Sequence, residues 1–274
     1  MSDPSAYIFD TAAVLHNRAR AETYGNDHTF LKQEISDRLH DRLHDITRPF
    51  QSVLDIGGDF ARFSGMPATT LSISDTPLPT SDNQFDLVIS NLVMHWVNDL
   101  PGLLIQLNRA LKPDGLMMAA MFGGETLKEL RHSLLAAESE LTGGAHGRVI
   151  PFADVKTLGS LLQRAGFALP VTDMDTLTVT YEHPLKLLAD LRGMGEANAL
   201  LDRPKNFMRR DVLSRALEIY SRDYAQSDGR VPATFQIIYL TGWHPHESQQ
   251  KPAKRGSGQV SLAAALKAGA PPQK

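Results

Sequence analysis

The feature that most narrows what this chain can fold into is a strand–helix–strand pattern between residues 85 and 122. "FDLVISN" (85–91) and "LMMAAMF" (116–122) are short apolar runs of the length of buried strands. Between them lies "DLPGLLIQLNRALKPDG" (99–115), in which Leu103, Leu104, Leu107 and Leu111 share one helical face and a Lys-Pro-Asp-Gly turn stops the helix. Two strands joined by a helix lie parallel, and the crossover is right-handed. "SVLDIG" (52–57) and "TTLSIS" (69–74) add two more apolar runs ahead of this unit. The expectation is an α/β protein with a largely parallel central sheet and helices on both faces.

The rest of the chain is arranged around that sheet. Phe30, Leu31, Ile35, Leu39, Leu43 and Ile46 recur at spacings of one, three and four, so the first fifty residues read as helical. Residues 123–141 read as a helix opened by a Thr126–Glu129 capping box. Residues 153–167 form another helix ending at Gly166, and "TLTVTYE" (176–182) alternates like a half-exposed strand. Helical stretches near 184–193 and 209–225 precede a last strand, "ATFQIIYLTGW" (233–243). Three regions are expected: a helical segment 1–50, a central domain 51–247 with a helical insertion over 183–230, and a disordered tail 248–274 rich in Pro, Gly, Ala and Lys.

Composition excludes some chemistry. There is no cysteine, so thiolate nucleophiles, disulfides and zinc–cysteine sites are out. The formal net charge of −3 argues against a general nucleic-acid binder. No apolar run approaches the roughly 20 residues that span a bilayer. The opening "MSDPSAYIFD" carries neither a signal-peptide core nor an Arg-rich transit pattern, so the bacterial cytoplasm is the expected location. His40 and His44 stand four apart, a spacing that suits a metal, but a solvated helix face explains them more simply, and no metal is expected.

Ligands of open α/β sheets bind beyond the carboxyl ends of the strands, where strand order reverses. "LDIGGDFARFSG" (54–65) is the first such end, with Asp55, Gly57 and Gly58 at the turn. Asn91 closes the strand "FDLVISN", and His95 and Trp96 follow it on the ligand side. His95 suits a base or a substrate contact, because imidazole titrates near neutrality. Met121, Phe122, Gly123 and Gly124 end the next strand, and their glycines leave room for a substrate.

The stretch "PTSDNQFDLVISNLVMHWVNDLPGLLIQLNRALKPDGLMMAAMF" resembles the central half of class I S-adenosylmethionine-dependent methyltransferases. That resemblance implies a Rossmann-like sheet whose last two strands form an edge hairpin, with S-adenosylmethionine as cofactor held by Asp55, Gly57, Gly58, Asp75 and Asn91. "HWVNDLPGLL", "MFGGETLKELRHSL", "PFADVKTLGSLLQRAGF", "LRGMGEANAL" and "VPATFQIIYLTGWHPHESQ" narrow it: together they resemble the complex I assembly factor 5 family. Members of that family are described as hydroxylating an arginine of a core subunit of respiratory NADH dehydrogenase. The resemblance implies an enzyme with a complex I subunit as partner, reached at the inner membrane through that client. A more distant likeness, including "FD" near the N-terminus, is to the malonyl-carrier-protein O-methyltransferases of biotin synthesis.

The chain also departs from the pattern. Asp59 and Ala61 stand where two glycines are expected, and only about 27 residues (58–84) separate the first strand end from "FDLVIS". A strand and a helix are expected to be missing there. Asp75, twenty residues after Asp55, suits a ribose-binding acid, yet "SDTPLPTSDNQFD" aligns with the later acid that meets the adenine, and it cannot fill both roles. These departures leave a second expectation open: a non-catalytic assembly or binding protein on the same fold.

Overall fold

The computed structural model describes residues 7–73 and 77–250. Asp75 and nearly all of the tail lie outside them. One sheet contains β1 (Val53–Ile56), β2 (Thr69–Leu71), β3 (Phe85–Asn91), β4 (Leu111–Phe122), β5 (Ala168–Tyr181) and β6 (Val231–Trp243), in the order β2-β1-β3-β4-β6-β5. β1 runs parallel to β2 and β3, and β3 parallel to β4. β6 is antiparallel to both β4 and β5, giving the expected edge hairpin. Among the described residues between Leu71 and Phe85 there is no further strand or helix.

The continuous apolar runs have two covered faces. Leu87 and Ile89 of β3 point with Met118 and Ile237 toward α2 (Phe30–His44), α5 (Lys128–Thr142), α7 (Pro184–Gly193) and α8 (Arg210–Tyr224). Val88 points the other way, with Met117 and Ile238, toward α4 (Leu100–Ala110) and α6 (Val155–Arg164). The alternation of period two in a strand therefore feeds two cores.

Two local readings need correction. The "LKPDG" stretch does not stand apart as a turn: it opens β4 as a bulge, with Leu111 paired to Phe85 and Asp114 at φ +62°. The capping box at Thr126 and Glu129 does not form. Leu127 takes φ +56° and starts α5 without a side-chain cap. Thr126 instead bonds the backbone of Gln236, and the buried Glu129 accepts from the Thr234 N–H and hydroxyl, so both polar groups serve β6. Arg131 and Glu138, which suit a surface role by sequence, are also engaged. Arg131 donates to the carbonyls of Gly124 and Thr126, and buried Glu138 pairs with Arg148.

The N-terminal segment is tied to residues far along the chain. Phe9 pairs with Leu200 in an antiparallel bridge, and its ring meets that of Trp96 edge-on at 5.4 Å. Asp10 caps α1 (Thr11–Glu22) through the Ala13 N–H and pairs with Arg203 at 2.9 Å. The "FD" dipeptide is thus a clasp over the ends of the central strands. α7 closes the same side: His28 Nδ1 lies 2.7 Å from Asp190 Oδ1, and a Cβ on Gly193 would fall 2.2 Å from the His28 ring. Gly193→Ala is expected to destabilise the protein by ~1–3 kcal/mol through overpacking. Gly124→Ala, where nothing lies within 4 Å of the added carbon, is expected to be near neutral in the same denaturant titration.

Candidate active site

The turn after β1 is built on two glycines in left-handed conformation, Gly57 at φ +101° and Gly58 at φ +78°. A side chain fits neither. A Cβ on Gly58 would lie 2.7 Å from the Thr70 methyl, and one on Gly57 would lie 3.0 Å from Val93. Asp55 is fully buried beneath the turn and accepts the Ala61 N–H at 2.7 Å through Oδ2, while Oδ1 has no partner. Burial raises its pKa to about 6; the Ala61 and Gly58 N–H groups oppose the shift, and the neighbouring Asp59 adds to it. Asp55 braces the turn from inside.

Asp59 opens the short helix α3 (Asp59–Ser64), and its carboxylate is almost wholly buried. Its Oδ2 lies 2.9 Å from Arg18 Nη2 of α1 and 3.0 Å from Lys32 Nζ of α2. Arg18 Nη2 also donates to the Gly57 carbonyl at 3.1 Å. Burial alone would raise the Asp59 pKa, but Lys32 and Arg18 hold it below the ordinary carboxylate range. A cavity of about 230 Å³ remains here, walled by Arg18, Lys32, Gly57, Gly58, Asp59 and Thr70 among others. Asn91 lies behind it: its Nδ2 donates to the Lys32 carbonyl at 2.8 Å, and its buried Oδ1 has no partner. Asn91 therefore ties α2 to the end of β3.

A second cavity, of about 690 Å³, opens beyond the ends of β3 and β4. Trp96, Phe122, Phe152 and Phe235 give it aromatic walls, and Leu127, Leu130, Leu188 and Leu191 aliphatic ones. Of the four residues expected to shape a substrate pocket at the end of β4, only Phe122 lies in this wall. Met121 faces the opposite core, and Gly123 packs on β6, where a Cβ would meet Gln236 Oε1 at 2.6 Å. Gly124 lies outside the wall with open space about it.

His95 and Trp96 converge on one carboxylate. Glu196 Oε2 accepts the Trp96 indole N–H at 2.9 Å and lies 3.1 Å from His95 Nε2. Trp96 and Glu196 line the large cavity; His95 sits behind them with its ring 4.8 Å from that of Phe122. Burial pulls the Glu196 pKa upward, yet the His95 imidazole, Lys32 and the Trp96 N–H outweigh it and hold it below the ordinary range. In the sequence Glu196 stands in "LRGMGEANAL", where two glycines, Gly193 and Gly195, break the helical stretch near 184–193. That break is the partition between the cavities: Gly193 and Met194 line the smaller one, Arg192 and Glu196 the larger. His40 and His44 meet ring to ring at 4.4 Å, and no cluster of three metal-ligating side chains occurs among the described residues.

A family profile described as a methyltransferase domain matches residues 5–170. The chain is 42% identical over 267 residues to the arginine-hydroxylase NDUFAF5, mitochondrial, of Danio rerio, a match covering 88% of this chain and 83% of that one. The protein of the same name from Homo sapiens is 42% identical over 260 residues, covering 85% and 75%. A malonyl-[acyl-carrier protein] O-methyltransferase of Halorhodospira halophila is 33% identical over 256 residues, covering 82% and 84%. The chain belongs to the methyltransferase-domain family. Within it, the chain is a member of the group formed by the NDUFAF5 arginine-hydroxylases, and the malonyl O-methyltransferases are more distant.

The family implies S-adenosylmethionine, whose amino-acid end suits a bare glycine turn and whose carboxylate takes backbone N–H groups or a cation. The turn is present and so are Arg18 and Lys32, but Asp59 already takes both cations. The cavity of about 230 Å³ is also below the roughly 300–1,000 Å³ of small-molecule sites. With Asp59 in place the residues do not fit the whole cofactor. Asp59→Asn is expected to destabilise the protein by ~3 kcal/mol, because two largely buried cations lose their counter-charge. The same variant should bind S-adenosylmethionine about tenfold more tightly than the wild type in calorimetry, since its carboxylate no longer competes with an internal one. Asp55 makes a separate prediction. Below pH 3.8 it is protonated in both folded and unfolded chains; between pH 3.8 and about 6 the unfolded chain ionises first, so folding loses up to about 3 kcal/mol. Wild-type stability relative to Asp55→Asn is expected to fall across that window and level off above it, as denaturant titrations at several pH values would show.

Proposed function

We propose that this chain modifies an arginine side chain of a protein client, a subunit of respiratory complex I, in the manner of the arginine-hydroxylases it resembles. The observation that carries the reading is 42% identity over a match that covers 88% of this chain. The cavity supports it independently. It lies at the strand ends where this fold binds substrates, it is wide enough for a long side chain, and it combines aromatic walls with a buried carboxylate. In this reading Trp96 and Phe122 line the substrate site, His95 holds Glu196 from behind, and Gly57, Gly58 and Asp55 shape the turn beside it.

Among the described residues no helix is long and apolar enough to cross a membrane. A bacterial cytoplasmic protein that meets its client at the inner-membrane surface fits that and the mild net charge. A second reading is favoured by one observation, the Asp59 carboxylate filling the place of a cofactor carboxylate: an assembly protein that binds the client without chemistry. The experiment is mass spectrometry of complex I subunits from cells with and without this protein. An arginine heavier by one oxygen atom, and lighter again when the protein is deleted, is the expected result. Identical arginines in both strains would overturn the enzymatic reading and leave the binding one.

A further inference from the structure

Glu196 has an unusual position for a buried carboxylate. Its backbone is fixed, with its N–H donating to the Leu191 carbonyl at 2.8 Å just after Gly195, which sits at φ +85° against α1. One oxygen, Oε2, takes both the Trp96 and the His95 contacts. The other, Oε1, has no hydrogen-bond partner among the described residues. The side chain is 6% exposed, and what it faces is the large cavity rather than bulk solvent. An ionised carboxylate fixed in a cavity wall with one unused oxygen is an acceptor for a cation that can enter.

The cations already in the wall do not consume it. Arg148 is bound by Glu138, Arg203 and Lys205 by Asp10, Arg20 donates to the neutral Asn17 amide, and Arg192, also in the wall, forms no ion pair with Glu196 among the described residues. The cavity walls discriminate among incoming cations. Trp96, Phe122 and Phe152 offer flat faces, which suit a planar, weakly hydrated guanidinium better than a compact ammonium. A guanidinium also presents parallel N–H groups, one of which can reach Oε1 while the rest of the ion lies along the rings.

We propose that Glu196 is the residue that receives the guanidinium of the substrate arginine, with Trp96 and His95 orienting its carboxylate. This rests on the reading of the large cavity as the site for a protein arginine, and it names the group that makes that site specific. Trp96 thereby reports on occupancy, because its indole N–H shares the same carboxylate.

The test uses the full chain carrying Trp243→Phe, which leaves Trp96 as the single tryptophan; Trp243 lies at the C-terminal end of β6 against Arg48, outside the cavity. The probes are arginine blocked at both ends and its uncharged counterpart, blocked citrulline, followed by Trp96 fluorescence and by ligand-observed NMR. The arginine compound is expected to saturate and the citrulline compound to bind about tenfold or more weakly. Glu196→Gln in the same background should lose that preference while melting within a few degrees of its parent. Glu196→Asp, which keeps the charge on a shorter arm, should retain part of it. Equal binding of the two compounds, no response to the arginine compound, or an unchanged preference in Glu196→Gln would each overturn the assignment. The two proposals fail separately. A client arginine still modified in Glu196→Gln cells sinks this one alone. A Glu196-dependent preference with an unmodified client keeps it and removes the chemistry proposed above.

Discussion

A carboxylate shut away from water stays ionised only if charges or donors hold it, and Asp59 finds two cations, one from each N-terminal helix. Arg18 and Lys32 reach it from α1 and α2, and Arg18 continues to the Gly57 carbonyl. That single contact fixes the helices against the first strand end, and much of the surrounding arrangement follows from it. With α1 and α2 in place, Asn91 can hold the Lys32 carbonyl, Gly195 can rest on α1, and Gly193 can pass under His28. The helix break that carries Glu196 is thereby set between the two cavities.

The two buried acids at the first turn are treated differently by the same fold. Asp59 has counter-ions and stays charged; Asp55 has only N–H donors on one oxygen, and burial moves it toward neutrality. The turn therefore holds one charged and one easily protonated carboxyl a few residues apart. Glu196 resembles Asp59 in being kept ionised, but its neighbours leave part of it unspent. Charge at this face of the sheet is concentrated in groups that are fixed by packing, not by solvent.

The sheet was legible in the sequence because its signal is local. In "VLDI", "FDLVISN" and "LMMAAMF" apolar residues occupy adjacent positions instead of alternating, as a strand with two covered faces requires. The missing strand was legible too, as a shortage of residues before Phe85. The site was less so. Asp59 could be seen as an intruder among glycines, but its partners lie in helices read as ordinary faces; the one available hint was Lys32, a charge set beside Leu31 and Ile35 on a buried stripe. Thr126 and Glu129 were misread because a capping box and a pair of inward-turned polar groups have the same spacing. Which one forms depends on β6, more than a hundred residues away. Glu196 had no local signal beyond two glycines, since its meaning comes from His95 and Trp96.

The sheet order carries a consequence for how the chain is made. Among the described residues β6 is the last strand in the chain, yet it lies between β4 and β5 and pairs with both. Until residue 243 has emerged, β4 keeps an open edge and the fourteen-residue β5 has nothing to pair with. Phe235, a wall of the large cavity, arrives with that strand, and so do the backbone groups that Thr126 and Glu129 wait for. Pairings of such long sequence separation form late and leave strand edges exposed meanwhile. A nascent chain stalled before β6 thus exposes strand edges that the finished sheet covers, and it is an aggregation hazard for as long as they stay open.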